Sequence, residues 1–231
     1  MYKHIFFDLD HTLWDFEQNS TLALSEIFIE FDLHQKLNCQ FKDFIEVYHN
    51  INHNYWDAHK KNKVTREQLR NGRFIDTLVH FNLKDEELAC AISDDYVKRS
   101  PYKKHLFEGA IRVLDYLKHR AYQLHIITNG FNEVQFIKLT ESALLPYFDT
   151  ITTSEHAGHN KPDEKIFIHA LADAGAKKQE SIMIGDNFEA DIEGAIKAGI
   201  DAIWFNPNKE KTNSKLNFKT IHHLLEIEEL L

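Results

Sequence analysis

The chain has 231 residues, 43% of them hydrophobic, and a formal charge of −9, which allows one large domain or a domain with an insertion. The acidic balance argues against a nucleic-acid polymer as partner, since that needs a basic face, but leaves a small phosphorylated ligand open. No apolar run approaches the ~20 residues that span a bilayer, Cys39 and Cys90 match no metal spacing, and the chain starts on a strand without a cleavable leader, so no membrane partner and a cytoplasmic location are expected.

In chain order, the first element is the short apolar run Ile5-Phe6-Phe7, a buried strand by its length. It runs into Asp8-Leu9-Asp10-His11-Thr12. Side chains at i and i+2 share a face of an extended chain, so both carboxylates can look into one crevice. Their mutual repulsion fits either a proton-sharing pair or a metal site with a nucleophile; a solvated acidic turn is the alternative. Helical periodicity then covers 19–31, 41–59, a segment from Thr65 to about Phe81 opened by the capping box Thr65-Arg66-Glu67-Gln68, and 85–100. Helices alone after a single strand mark an inserted helical domain, 15–102, within a core made of 1–14 and 103–231.

Beyond Pro101 helices and strands alternate. Helix 108–120 precedes strand 122–128, and Asn132-Glu133-Val134-Gln135 caps the next helix. Strand 150–153, helix 163–174 stopped by Gly175, strand 181–184, helix 188–198 stopped by Gly199, strand 202–205 and a terminal helix 220–231 complete the chain. This alternation implies parallel βαβ units. The expected fold is α/β: a Rossmann-like doubly wound parallel sheet with an inserted helical-bundle cap.

Ligands of such sheets bind beyond the carboxyl ends of the strands, and three more segments there are polar. Thr128-Asn129-Gly130 suits an anion, or a plain N-cap turn. In His159-Asn160-Lys161-Pro162-Asp163 a lysine stands before a helix start, where an anion or simply solvent can meet it. Gly185-Asp186 through Asp191 offers hard carboxylate oxygens of the kind Mg²⁺ prefers, or an N-cap by Asp186.

The order acid pair, threonine, lysine, acid pair resembles the haloacid dehalogenase-like superfamily along the whole chain. Asp8-Leu9-Asp10-His11-Thr12 is similar to its first motif, Thr128 to its second, Lys161 to its third, and Gly185-Asp186 through Asp191 to its fourth. The resemblance implies a Mg²⁺-dependent phosphomonoester hydrolase with Asp8 as nucleophile and Asp10 as acid and base. Asp8, Asp186 and the backbone carbonyl of Asp10 would hold the metal, and Asp191 would orient its waters or Lys161. Thr128, Asn129, Gly130 and Lys161 would hold the phosphoryl group. True dehalogenases lack the second acid; here Asp10 is present, which fits phosphoryl transfer, whose leaving alkoxide needs a proton.

A narrower resemblance, to the pyrimidine 5′-nucleotidase branch, rests on Thr12-Leu13-Trp14-Asp15-Phe16, Asn54-Tyr55-Trp56, Lys63-Val64-Thr65-Arg66 with Arg73-Phe74, Ile127-Thr128-Asn129-Gly130 and Trp204-Phe205-Asn206-Pro207. It implies a pyrimidine nucleoside monophosphate as substrate and a cap that closes over the site. Trp14, Tyr55, Trp56 and Arg73 are candidate substrate contacts; aromatics at helical spacing are also ordinary core residues. A phosphatase for phosphoglycolate or a sugar phosphate, a phosphomutase, and a non-catalytic binding protein are the competing readings. Of 15 histidines, His49 and His53 have metal-like spacing without a third ligand, and His222-His223 and Glu226 to Glu229 are expected on a solvated surface.

Overall fold

The structure, a computed structural model, describes residues 2–61 and 63–231. The chain divides into two compact units, Met1–Phe16 with Lys104–Leu231, and Glu17–Lys103.

The first unit is built on a six-stranded sheet: β1 (His4–Phe7), β2 (Gln123–Thr128), β3 (Thr150–Thr153), β4 (Ser181–Gly185), β5 (Asp201–Phe205) and β6 (Lys219–Ile221). All pairings are parallel, in the order β3-β2-β1-β4-β5-β6. Strand order reverses at β1, so the crevice beyond its carboxyl end is the topological switch point where such sheets bind ligands. Alternate residues feed the two faces. Ile5, Phe7, Leu124, Ile126, Ile182, Ile184, Ile203 and Phe205 pack on one side; Phe6, Ile127, Met183, Ala202 and Trp204 pack on the other. Helix α6 (Ala110–His119) covers the first face through Val113, Leu114 and Leu117. Helices α9 (Glu164–Asp173) and α10 (Gly194–Lys197) cover the second. Helices on both faces of a parallel sheet make the doubly wound α/β architecture expected from the sequence. Gly175 and Gly199, both at positive φ, end α9 and α10.

The second unit holds α1 (Phe16–Glu30), α2 (Leu33–Leu37), α3 (Phe41–Lys60), α4 (Arg73–His80) and α5 (Glu86–Arg99). Its own core joins Leu24, Ile27, Phe28, Phe44, Tyr48, Phe74, Leu78, Ile92 and Tyr96. Each fully buried side chain of this kind contributes roughly 1.5–3 kcal/mol of transfer free energy. Both bonds of the Thr65–Gln68 capping box are present: Thr65 N donates to Gln68 Oε1 at 2.8 Å and Gln68 N to Thr65 Oγ1 at 3.1 Å. The helix they open runs through a π-helical turn, Gln68–Gly72, before α4.

The chain end departs from expectation. Instead of one helix over 220–231 there is β6, a 3₁₀ turn Leu224–Glu226 and the short helix α11 (Ile227–Leu230). The open edge of β5 recruits Thr220 and Ile221 as backbone partners, outweighing helical periodicity. His223 and Glu229 are exposed as expected, whereas His222, Glu226 and Glu228 are only partly so. Glu226 accepts the backbone N–H groups of His222 and His223, Glu228 takes a two-pronged bond from Arg112, and His222 Nδ1 lies 2.6 Å from the Asn206 carbonyl. No helix among the described residues is long and apolar enough to cross a membrane.

Candidate active site

Four strand-end segments of the first unit meet at the switch point. Asp8 follows β1, and its backbone N–H donates to the Ile184 carbonyl on β4. Lys161, only 2% exposed, places its ammonium 2.7 Å from Asp8 Oδ1, 2.6 Å from Asp191 Oδ1 and 2.8 Å from the Ile127 carbonyl of β2. One side chain thus ties together the ends of β1 and β2 and the helical turn after β4. Its position is fixed by Asn129, whose amide accepts from Lys161 N at 2.7 Å and donates to Lys161 O at 3.0 Å. Asn129 was expected among the anion-binding groups; its side chain is spent on seating the lysine. Gly130 N likewise donates to Thr128 Oγ1 at 3.1 Å, so the buried Thr128 hydroxyl is held by its own loop.

Asp186 follows β4 and accepts from Thr12 Oγ1 at 3.2 Å, while its carbonyl accepts from Trp204 Nε1. Asp186 does not cap the next helical segment; Asn187 does, accepting from Ala190 N. Asp191 is fully buried and accepts from Asn187 N at 2.9 Å. Gly185 is required by contact: a Cβ there would sit 2.3 Å from Asp191 Oδ2.

Asp8, Asp186 and Asp191 each bring one oxygen within 4.8 Å of the others. One ammonium cannot balance three carboxylates, two of them buried and that of Asp186 half-buried. Burial first, then the neighbouring carboxylates, pushes the carboxyls of Asp8 and Asp186 well above the usual range, against the pull of Lys161. Burial opposes the charge of Lys161, but the surrounding Asp191 and Asp8 raise it further and keep it an ammonium. A compact group of hard oxygen donors with surplus negative charge fits a divalent cation such as Mg²⁺.

Asp10 is treated differently. Lys138 Nζ lies 2.5 Å from its Oδ1 and Gln135 Nε2 donates to its Oδ2 at 2.9 Å. Burial pushes this carboxyl up, but the Lys138 ammonium and the two hydrogen bonds outweigh it and hold Asp10 below the ordinary carboxylate range. Neither Gln135 nor Lys138 was among the residues expected from the sequence. Both lie on α7 (Asn132–Glu141), three apart on one face, and are buried with Leu139. Two long polar residues on the inward side of an amphipathic helix were the available signal. The segment 132–135 therefore does not cap α7; Phe131 occupies the cap position without a side-chain bond. Gln135 crosses so closely over Gly130 that a Cβ there would lie 1.7 Å from its Nε2.

Of the expected substrate contacts, Trp14 is packed into the first core face, 1% exposed, with Lys138 Nζ 4.2 Å from its ring centre; it braces a lysine. Tyr55 donates to Asp76 at 2.8 Å and Trp56 meets His59 edge-on. Arg73 is buried, donates to Asn52 Oδ1 at 2.7 Å and lies within 6.0 Å of the Tyr48, Phe74 and Tyr96 ring centres. Among the described residues it pairs with no carboxylate, and its Nε has no partner. His49 pairs with Glu17 and His53 with Asp57.

Residues 5–205 match the family model described as haloacid dehalogenase-like hydrolase. Pyrimidine 5′-nucleotidase PynA of Streptococcus pneumoniae is 33% identical over 209 residues, 90% of this chain and 85% of that protein. Pyrimidine 5′-nucleotidase YjjG of Escherichia coli is 31% identical over 229 residues, 98% of this chain and 96% of that protein. The magnesium-bound crystal structure of YfnB from Bacillus subtilis matches with a TM-score of 0.89 at 27% identity, covering 99% of this chain and 98% of that one.

Proposed function

The chain belongs to the haloacid dehalogenase-like hydrolase family, and from that premise we propose that it is a Mg²⁺-dependent 5′-nucleotidase that hydrolyses pyrimidine nucleoside monophosphates through an aspartyl-phosphate on Asp8. The observation that carries the chemistry is the single buried lysine shared by Asp8 and Asp191. The pyrimidine preference is supported by two relatives of that name over most of this chain.

Asp8, Asp186 and the Asp10 backbone carbonyl would hold the metal, with Asp191 as a positioning residue for Lys161. When bound, Mg²⁺ supplies the positive charge that lets an anionic ester approach the carboxylates. Asp8 attacks phosphorus and the ester P–O bond breaks. Asp10 gives a proton to the departing alkoxide, then takes one from the water that cleaves the acyl phosphate, so protons balance over the cycle. Lys161 and the Thr128 hydroxyl offset charge on the transferring oxygens; fixed groups of this kind are worth about 10²–10³ in rate each. The bonds from Lys138 and Gln135 favour the ionised Asp10, the form that accepts a proton from water in the second step; the alkoxide of the first step is served by the protonated form that this water step regenerates. Arg73, with Tyr55 and Trp56, is proposed to read the base: an arginine can donate to a pyrimidine carbonyl and a ring can stack on it.

The test is phosphate release, with Mg²⁺ and with chelator, from dUMP, dTMP, UMP, dAMP, phosphoglycolate and glucose 1-phosphate. Metal-dependent release favouring the pyrimidine monophosphates is expected. Preference for phosphoglycolate or the sugar phosphate would keep the chemistry and overturn the substrate. No release from any ester by a folded protein would overturn both. For Arg73→Lys, KM should rise for dTMP and stay unchanged for p-nitrophenyl phosphate, which has no base.

A further inference from the structure

We infer that the first unit carries a second metal site, built by His156, His169 and Asp173 for an imidazole-preferring divalent ion of the Zn²⁺ class. His169 and Asp173 are four apart on α9 and share a face. His156 comes from the one-turn helix α8 (Ser154–Ala157) that follows β3. One donor atom from each residue lies within 4.8 Å of the others. His169 Nε2 is 3.3 Å, and His156 Nδ1 3.8 Å, from the same oxygen, Asp173 Oδ2. A tetrahedral ion with bonds of about 2.0–2.2 Å has ligand-to-ligand edges of about 3.3–3.6 Å, so two edges are already near the required length. The imidazole rings stand at 82° to each other with centroids 4.8 Å apart, an arrangement two ligands of one ion can share.

A second observation points the same way. His169 Nε2 is shielded from solvent yet makes no hydrogen bond; the neighbouring carboxylate oxygen is close but poorly aligned. A polar nitrogen cut off from water without a partner costs free energy, and a metal bond supplies what it lacks. The Thr152 hydroxyl donates to Asp173 Oδ2 at 3.5 Å, the kind of outer support that orients a metal ligand. His156 is half exposed, which leaves room for water to complete coordination. Two imidazole nitrogens and one carboxylate oxygen select Zn²⁺, Co²⁺, Ni²⁺ or Cu²⁺ over Mg²⁺, unlike the all-oxygen group at Asp8, Asp186 and Asp191. An ion here would clip α8 to α9. The first residue of α8, Ser154, donates to the Asn129 carbonyl at 3.1 Å, so the clip would brace the loop that seats Lys161.

The experiment is a Co²⁺ titration of the full chain followed by visible absorption, with Mg²⁺ in excess to occupy the all-oxygen group. One equivalent of Co²⁺ with intense four-coordinate bands is expected, displaced by Zn²⁺. H156Q, H169Q and D173N should each weaken uptake by more than the roughly 10- to 100-fold that loss of a supporting partner costs. Zn²⁺ should raise the thermal midpoint of the parent protein by several degrees and leave that of H169Q unmoved, while the two midpoints agree without metal. Phosphate release by H169Q in Mg²⁺ should match the parent. Absence of Co²⁺ uptake under excess Mg²⁺, uptake indifferent to H169Q, or uptake lost in D186N but kept in H169Q would each overturn the site.

Discussion

Two buried lysines reach the carboxylates of the loop after β1, and they do opposite things. Lys161 is shared between Asp8 and Asp191, with Asp186 close by; Lys138 serves Asp10 alone, with Gln135 beside it. Around Lys161 negative charge is in surplus and the carboxyls are pushed up; around Lys138 the charges balance and Asp10 is held low. Two aspartates two residues apart in sequence are thus set to different tasks by the ratio of cations to anions around them more than by exposure, Asp8 being buried and Asp10 part-buried. The surplus makes a place for a cation; the balanced pair makes a carboxylate ready to accept a proton.

The sharpest way to break this contrast is at Asp8. Asp8→Asn keeps the side-chain volume and removes the proposed nucleophile, so turnover should fall by on the order of 10⁴ or more; steady phosphate release near the parent rate would refute the assignment. Next is Lys161→Met. It leaves Asp8 and Asp191 buried without their counter-charge, which costs about 3–5 kcal/mol, and it removes the charge proposed to act on the reacting phosphoryl group, worth about 10²–10³ in kcat. Chemical denaturation in chelator reads the first effect, and added Mg²⁺ should restore part of the lost stability by filling the surplus. A parent-like denaturation midpoint in chelator would show that the lysine is not what balances the cluster.

How much of this was legible in the sequence follows from how local each signal is. The sheet was readable because each strand is a short apolar run whose alternate residues feed two cores, and Asp8, Thr128 and Asp186 were readable because they sit at strand ends; Lys161, in the loop after α8, and Asp191, in the helical turn after β4, were readable from their place in the order of motifs. The terminal strand was not: Lys219–Ile221 becomes a strand because β5 offers an open edge, a fact about a partner distant in the chain. Lys138 and Gln135 were missed for a related reason. Their meaning depends on Asp10, more than a hundred residues away, and only their burial beside Leu139 on α7 hinted at it. His156, His169 and Asp173 likewise come together only when α8 folds against α9.

Lys138→Met probes the balanced side. Asp10 keeps some solvent contact, its side chain being 21% exposed, so the loss should fall below the range for a fully buried pair, at about 2 kcal/mol. Because the Asp8 cluster is untouched, Mg²⁺ should stabilise this variant as much as it stabilises the parent. That equality separates the two lysines more cleanly than activity does, since Lys161→Met should respond to Mg²⁺ more strongly than the parent. Equal responses in both variants would mean that the two centres share one charge balance.

The smallest effect belongs to Gln135. Its amide gives Asp10 a neutral hydrogen-bond donor, and replacing it with leucine removes that bond while keeping a side chain of similar length over Gly130. A hydrogen bond to a charged group is worth about 1.5–3 kcal/mol at most, and Lys138 still neutralises Asp10, so the stability loss should be about 1 kcal/mol and kcat should fall less than tenfold. The position matters through geometry rather than charge: with the amide gone, the Asp10 carboxylate is held at one oxygen instead of two and is free to rotate about its lysine. Gln135→Glu makes the same point from the other side. It preserves length and shape but sets a second carboxylate against Asp10, turning the balanced centre into one with surplus negative charge. If the ratio of cations to anions is what distinguishes the two centres, Gln135→Glu should harm kcat more than Gln135→Leu does; the reverse order would mean that hydrogen-bond geometry, not charge balance, sets the state of Asp10.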